Sequence, residues 1–226
     1  RYRYAMPGRY SIGITAEKDA GELWPTSALG RKAGFFSGHI FIHPKSRFLH
    51  SLAIGDYQVN FGQGLTFSSG LSFGKSAMVL SNFRAQEGIR AYRSVNETQF
   101  LRGTAIKVNL TKATRITGFL SRNYEDVVID DNGTSGSLNN FGYVRTLKDI
   151  STKDNQEINI IGFNISQQIK TFQVGVTAAH QTFSVPFAKN KKPYAVHRLN
   201  GNTLTNLGID YKGNIKNILL LLVGYY

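Results

Sequence analysis

The sequence predicts an all-β protein, an antiparallel up-and-down transmembrane β-barrel or an interior slice of a larger one. Three observations predict it: apolar and polar residues alternate in many segments, helical periodicity is nearly absent, and short connections alternate with long ones. Outer-membrane barrels have short periplasmic turns and long extracellular loops, whereas a soluble sandwich has no reason to sort its loops by length. We therefore expect short periplasmic turns and long extracellular loops.

The composition narrows the class of protein. Of 226 residues, 41% are hydrophobic, 12% aromatic and only 18% charged, which argues against disorder. The chain has no cysteine, so disulfides, thiol catalysis and cysteine metal sites are excluded. No apolar stretch reaches the length of a transmembrane helix, about 18 residues, but transmembrane strands need no such stretch. The formal charge of +13 suits a nucleic acid, an anionic lipid surface, an anion pathway or simply a solvated basic surface.

Ten strands are predicted, joined alternately by short and long connections. The predicted strands are 1–5, 10–17, 33–42, 48–62, 97–110, 114–122, 157–168, 171–183, 205–212 and 216–226. The long connections are 18–32, 63–96, 123–156 and 184–204. We treat 1–226 as a single β-barrel region, with 123–156 and 184–204 as extracellular loops and 63–96 as a plug-like or extracellular loop. Because the first connection is short, we expect further strands before and after this region; a closed ten-strand barrel is the alternative.

Alternation assigns side chains to the two faces of the predicted sheet. Apolar residues with polar neighbours are expected to face lipid; they are Tyr10, Ile12, Ile14, Phe163, Ile165, Val174 and Val176. Arg3, Lys107 and Arg115 share strand faces with small polar residues and are expected to line the lumen. Arg102 has the opposite parity to Lys107, which suggests a bulge near Gly103 or an exit above the membrane.

The 63–96 connection is too long and too apolar for an ordinary loop. Its apolar side is expected to pack against the inner wall while its basic side faces the lumen, so that it constricts or plugs the barrel; a surface lobe docked on a partner is the alternative. The predicted lumen-lining and constriction residues are Asp56, Gln58, Asn60, Lys75, Arg84, Arg90, Lys107 and Arg115.

No chemical motif in the sequence is complete. The segment 69–76 resembles a phosphate-binding P-loop, but Ser69 stands where the first glycine is needed. The segment 130–133 lacks the spaced ligands of a calcium loop and is read as a turn. His39, His43 and His50 lack further converging ligands for zinc. We expect no enzymatic activity, no cofactor and no metal site.

Several segments together carry a resemblance to a known family. They are Glu17 to Glu22, Ile54 to Leu65, Phe73 to Ser76, Arg102-Gly103, Gly142 to Thr146 and Leu207 to Tyr211. In order and spacing they resemble the barrel region of Bacteroidota outer-membrane proteins that carry helix-hairpin-helix modules ahead of the barrel. The resemblance spans nearly the whole chain. One departure is the apolar run Ile218 to Leu222, where alternation should continue.

The resemblance implies a bacterial outer-membrane location and no firm activity for the barrel. We expect a non-enzymatic channel, or a barrel subunit of an envelope transport or secretion complex, in contact with outer-membrane lipid and protein partners. The first alternative is a DNA-handling envelope protein that binds DNA through helix-hairpin-helix modules outside this chain. The second alternative is a soluble β-sandwich binding module.

Overall fold

The computed structural model describes residues 1–18, 20, 34–70, 88–139, 146–188, 198–215 and 218–225. Its strands are β1 (Tyr2–Met6), β2 (Tyr10–Glu17), β3 (Phe35–Ile42), β4 (Leu49–Phe61), β5 (Phe67–Ser68), β6 (Gly88–Ala91), β7 (Leu101–Asn109), β8 (Thr114–Ile129), β9 (Ser135–Asn139), β10 (Gln156–Ile169), β11 (Phe172–Phe187), β12 (Gly201–Ile215) and β13 (Ile218–Tyr225). A 3₁₀ turn spans Gly62–Gly64, and the helix α1 spans Leu147–Thr152. No helix in the described ranges is long and apolar enough to cross a membrane.

Ten of the strands form one antiparallel sheet in the order of the chain. The order is β1-β2-β3-β4-β7-β8-β10-β11-β12-β13, and every neighbouring pair is antiparallel. The short strands β5 and β6 pair with β4, and β9 pairs with β8 and β11. The all-β, up-and-down fold is confirmed. Among the described residues the outermost strands β1 and β13 do not pair with each other, so the sheet is open.

Several strands are longer than the sequence predicted. β8 continues to Ile129 and β11 to Phe187, so strand pairing extends into the ranges that were assigned to loops. In particular, 123–156 also contains β9, which pairs with β8 through Val127 opposite Leu138, and α1, whose first turn is closed by a capping box between Thr146 and Asp149. The only α-helix of the described residues therefore lies in this connection.

One face of the sheet, which we call the outer face, is apolar and exposed. A row of directly paired residues crosses nine strands on this face, and every member is apolar or glycine; the row is Met6, Tyr10, Ile42, Leu52, Ile106, Gly118, Phe163, Ala178 and Leu207. Phe163 remains 47% exposed and Leu207 49% exposed. The residues predicted to face lipid lie on this face, are exposed or half-buried, and form no core.

The opposite face, the inner face, is buried although much of it is polar. Thr117, Asn164 and Thr177 follow one another across β8, β10 and β11, and each is less than a tenth exposed. The Asn164 amide Nδ2 donates a hydrogen bond to Thr177 Oγ1 over 2.8 Å. Small residues recur beside them, as Gly162 and Ala179 show. Buried polar and small side chains thus line the inner face while apolar side chains are exposed on the outer face, the reverse of the arrangement in a soluble protein.

Residues after β4 fold back over the inner face. The Phe61 and Phe67 rings lie 6.0 and 5.2 Å from the ring of Phe119 on β8. Thr66 packs against Gly208 on β12, where a Cβ would overlap its side chain. β12 is five strand steps from β4, about 24 Å in a flat sheet. Because Phe61 to Thr66 extend at most about 18 Å, the sheet must curl around this segment.

Gly55 brings β3 and β4 into unusually close contact, which yields a test of the fold. It has φ +88°, and a Cβ there would overlap the carbonyl oxygen of Gly38. We expect Gly55→Ala to lower the free energy of unfolding by more than about 3 kcal/mol, because steric overlap adds to left-handed backbone strain. Gly133→Ala is the matched control: φ is +72° with nothing near the Cβ, so it should cost only about 1–2 kcal/mol. Urea unfolding of both variants measures the difference; equal losses would contradict the close contact.

Candidate functional site

The candidate site is the inner face together with the described parts of the 63–96 connection, residues 63–70 and 88–96. Register places Lys107 opposite Thr117 and Ser51, and Arg115 opposite Asn109, on this face. Arg3 pairs with Gly13 on the same face. Lys107 Nζ reaches to within 3.5 Å of the position of a Cβ on Gly88, so its side chain spans from β7 to β6. The basic residues predicted to share this face therefore do so.

Arg102 lies on the outer face, and no β-bulge is needed to place it there. The pairing of β7 with β8 is continuous from Gly103 to Asn109, so its parity is simply opposite to that of Lys107. Its guanidinium Nε donates to Asp56 Oδ1 over 2.7 Å, and Nη2 donates to Asp56 Oδ2 over 3.0 Å. Nη2 also donates to the carbonyl oxygen of Phe36 over 2.7 Å. The proposed bulge near Gly103 is thus absent from this pairing.

Asp56 was predicted to line the lumen, and in the structure its carboxylate is engaged in the ion pair with Arg102. Asp56 and Arg102 line an outer groove with Tyr2, Ile14 and Phe36. The Asp56 carboxylate is only 2% exposed, and it accepts a further hydrogen bond from the backbone N–H of Gly38 over 3.0 Å. It therefore ties β3, β4 and β7 together through a bidentate ion pair. Sequence reasoning missed this partnership, because only the register Asp56 opposite Arg102 reveals it.

Tyr57, Val59 and Phe61 alternate with the polar residues of β4, and they are the side chains that enter the interior core. All three belong to one buried cluster with Phe119. The Tyr57 hydroxyl donates to the carbonyl oxygen of Leu120 over 2.6 Å. Phe67 and Ile89, from the described parts of the 63–96 connection, belong to the same cluster and cover these side chains.

Gln58 and Arg90 border a large cavity on the inner side. Arg90 pairs with Gln58 across β4 and β6, and the Gln58 amide Nε2 donates to the carbonyl oxygen of Gln99 over 2.8 Å. The cavity measures about 800 Å³ and is also bordered by Phe41, His43 and residues 91–95. Asn60 is buried at 7% exposure beside Ser68 of β5. Lys75 and Arg84 lie outside the described residues.

A smaller cavity, about 110 Å³, lies beyond the apolar rows between β3, the end of β8 and the turn after α1. The Lys153 side chain is 5% exposed there, with Nζ 3.4 Å from Glu97 Oε2. Burial, together with the smaller effect of the neighbouring Asp126 carboxylate, raises the pKa of the Glu125 carboxyl to about 7. This end of the sheet thus contains a titratable cluster that the sequence did not indicate.

His39, His43 and His50, the histidines considered as zinc ligands, contact polar groups of the sheet. His39 Nε2 lies 3.0 Å from Ser11 Oγ. His43 Nδ1 lies 3.2 Å from the carbonyl oxygen of His50, and their rings stand 5.7 Å apart. Within the described ranges, no group of three or more His, Cys, Asp or Glu side chains is arranged to hold a metal ion. At 130–133 the chain forms a turn, in which Asp130 Oδ1 accepts from the backbone N–H of Thr134 over 2.7 Å.

No protein-family model matches the chain, and no curated protein or solved structure matches it. The resemblance to Bacteroidota barrels with helix-hairpin-helix modules therefore stays a prediction from the sequence. The structure does define the fold class. It is one curled, antiparallel, up-and-down β-sheet with an exposed apolar outer face and a buried polar inner face.

The Asp56–Arg102 pair is testable against an exposed pair on the same face. Arg102→Ala should lower the free energy of unfolding by about 3–5 kcal/mol, because it leaves a buried carboxylate uncompensated. The control is Arg122→Ala, which breaks the exposed contact of 2.8 Å to Glu157 and should cost no more than about 1 kcal/mol. Urea unfolding measures both losses. If Asp56→Asn in the Arg102→Ala background restores no stability, an uncompensated charge is not the cause.

Proposed function

We propose that this protein is a bacterial outer-membrane β-barrel protein, whose curled sheet forms a barrel wall around a water-accessible interior narrowed by the 63–96 loop. The observation that supports it is the inverted distribution of side chains. The outer face carries an uninterrupted apolar row nine strands wide, whereas the inner face buries Asn164, Thr177 and Asp210. Hydrocarbon is the solvent that suits such an outer face, and polar interiors are typical of outer-membrane barrels.

The strand lengths fit the same proposal. A transmembrane strand needs about 9–11 residues. β8 has 16 residues and β10 has 14, so both are long enough to cross and to extend beyond the bilayer. Outside the apolar rows, the outer face becomes polar: Arg122 pairs with Glu157, whose carboxylate also accepts from the Tyr124 hydroxyl over 3.1 Å. Arginine and tyrosine at this height suit the boundary between hydrocarbon and water.

A single sheet also favours the barrel over the soluble sandwich. Sandwiches bury their apolar faces between two packed sheets. Here the described strands form one sheet, and its exposed apolar face has no second sheet against it. A soluble form would leave Phe163, Ile165 and Val176 in water.

The membrane part of the proposal can be tested by site-directed spin labelling, since the chain has no cysteine to remove. Ile165→Cys lies on the outer face and the adjacent Ser166→Cys on the inner face, which makes them matched variants. In liposomes, we expect the label at 165 to be relaxed more by oxygen than by a water-soluble nickel complex, and the label at 166 to show the reverse. Equal access of the nickel complex to both labels would contradict a lipid-facing outer surface.

The channel part of the proposal can be tested in planar bilayers. Replacing residues 62–91 by a short Gly-Ser linker removes the segment that packs on Phe119 and Gly208, and we expect it to raise the single-channel conductance. Replacing residues 189–197 by the same linker is the control, and it should leave the conductance close to that of the unaltered protein. Inserted protein that conducts no current in any of the three forms would contradict an aqueous path and favour a purely structural barrel.

A further inference from the structure

A groove on the outer face lies where the apolar rows end. It has a volume of about 430 Å³ and is bordered by residues of β7, β8, β10 and β11. Its apolar side is formed by Leu120 and Ile161, which pair directly across β8 and β10 and are 55% and 57% exposed. Its polar side is formed by side chains two residues further along the strands; they are Arg102, Arg122, Asn159 and Thr182. The groove is therefore half apolar and half polar.

The polar side of the groove belongs to a longer polar row. Directly paired residues form this row across four strands; they are Arg122, Asn159, Thr182 and Thr203. Asn159 and Phe163 are four residues apart on the same face of β10, which is about 13 Å along the strand. In the proposed membrane, the polar row lies at the level where lipid headgroups meet hydrocarbon.

Arg102 and Arg122 are neighbours in this groove. They extend from the adjacent strands β7 and β8, one residue beyond the last directly paired positions. Arg102 is held by the Asp56 carboxylate and by the carbonyl oxygen of Phe36. Arg122 is held by the Glu157 carboxylate, with Nη2 2.8 Å from Oε2. Both guanidinium groups are thus fixed in place by the protein itself.

Both guanidinium groups nevertheless keep N–H donors for a ligand. The hydrogen bonds of Arg102 use Nε and Nη2 and that of Arg122 uses Nη2, so among the described residues neither Nη1 donates a hydrogen bond. The two arginine side chains are 42% and 65% exposed, whereas those of Asp56 and Glu157 are 2% and 25% exposed. A ligand in the groove therefore meets the donors more readily than the carboxylates that hold them.

We propose that this groove binds the phosphate-bearing headgroup of a bilayer lipid, with Arg102 and Arg122 as donors to the phosphate and the acyl chains lying along Leu120 and Ile161. Guanidinium groups bind phosphate oxygens through charge-assisted, often paired hydrogen bonds. An amphiphile uses both sides of the groove, whereas a soluble phosphate would leave the apolar side in water. The inference rests on the proposed function, because only a membrane-embedded sheet meets bilayer lipid along this face.

Native mass spectrometry of the full chain in an uncharged detergent, titrated with phosphatidic acid, tests the site. We expect binding to the unaltered protein, weakened at least about fivefold by Arg122→Gln because a charged hydrogen-bond donor is lost. The matched control is Arg47→Gln, the same substitution at an exposed arginine in the turn between β3 and β4, at the other end of the sheet. It should leave the affinity unchanged.

Glu157→Gln tests the same contact in the opposite direction. We expect it to strengthen the binding of phosphatidic acid, because it removes a negative charge beside the phosphate and leaves the Arg122 guanidinium to the lipid. A variant that merely loosened the sheet would weaken binding instead. Circular dichroism of each variant confirms that the sheet is retained.

Two further probes separate the lipid from its parts. Diacylglycerol has the chains without the phosphate, and glycerol 3-phosphate has the headgroup without the chains; both should bind more weakly than phosphatidic acid. Equal binding of diacylglycerol would overturn recognition of the headgroup, and equal binding of glycerol 3-phosphate would indicate a site for soluble phosphates instead. Equal weakening by Arg122→Gln and Arg47→Gln, or weakening by Glu157→Gln, would also overturn the site.

The lipid site and the proposed function fail separately. Spin labels at 165 and 166 that report an inserted sheet, together with no preference for phosphatidic acid, refute only the lipid site. Selective binding of phosphatidic acid in micelles, together with equal access of the nickel complex to both labels in liposomes, refutes only the proposed function.

Discussion

Strand register is the constraint on which the rest of this structure depends. Successive side chains of a strand point to opposite faces, so a slip of one residue would exchange the two faces completely. The row from Met6 to Leu207 stays apolar through nine strands because each hairpin keeps its register. The same registers bring Thr117, Asn164 and Thr177 together on the other side. The apolar outer face and the polar inner face therefore both follow from the same strand registers.

The inner face has small residues at positions where side chains from other segments pack against it. A Cβ on Gly162 would overlap the Phe119 ring, and a Cβ on Gly208 would overlap Thr66. Phe119 in turn receives the rings of Phe61 and Phe67. Glycine at these two sites thus provides the space in which large side chains from β8 and from the 63–96 loop meet. Larger side chains at these two positions would overlap Thr66 and the Phe119 ring, so this packing depends on glycine.

The two faces of the sheet also differ in how their charged side chains are paired. On the outer face Arg102 pairs with Asp56 and Arg122 pairs with Glu157, so both of these basic groups are balanced by a carboxylate. On the inner face lie Arg3, Lys107 and Arg115, and among the described residues three arginines border the large cavity. The proposed water-accessible interior would tolerate these basic groups, because water and small anions would screen their charge. The formal charge of +13 is consequently informative only after its location is known.

The sequence by itself determined the ten main strands, their antiparallel order and the parity of most side chains, because period-two alternation and turn residues act locally. It also placed Lys107 and Arg115 on one face and Phe163 and Val176 on the other. Only the tertiary structure decided which side of β4 faces the interior. Alternation separates Asp56 from Tyr57 but does not say which of them faces inward. Tyr57 faces inward, where Phe67 and Ile89 pack in the same cluster, and Asp56 faces outward to Arg102, 46 residues away. The cavity beside Arg93 was equally invisible, since it forms where β3, β4 and β6 meet, and no local pattern encodes which distant strands will meet.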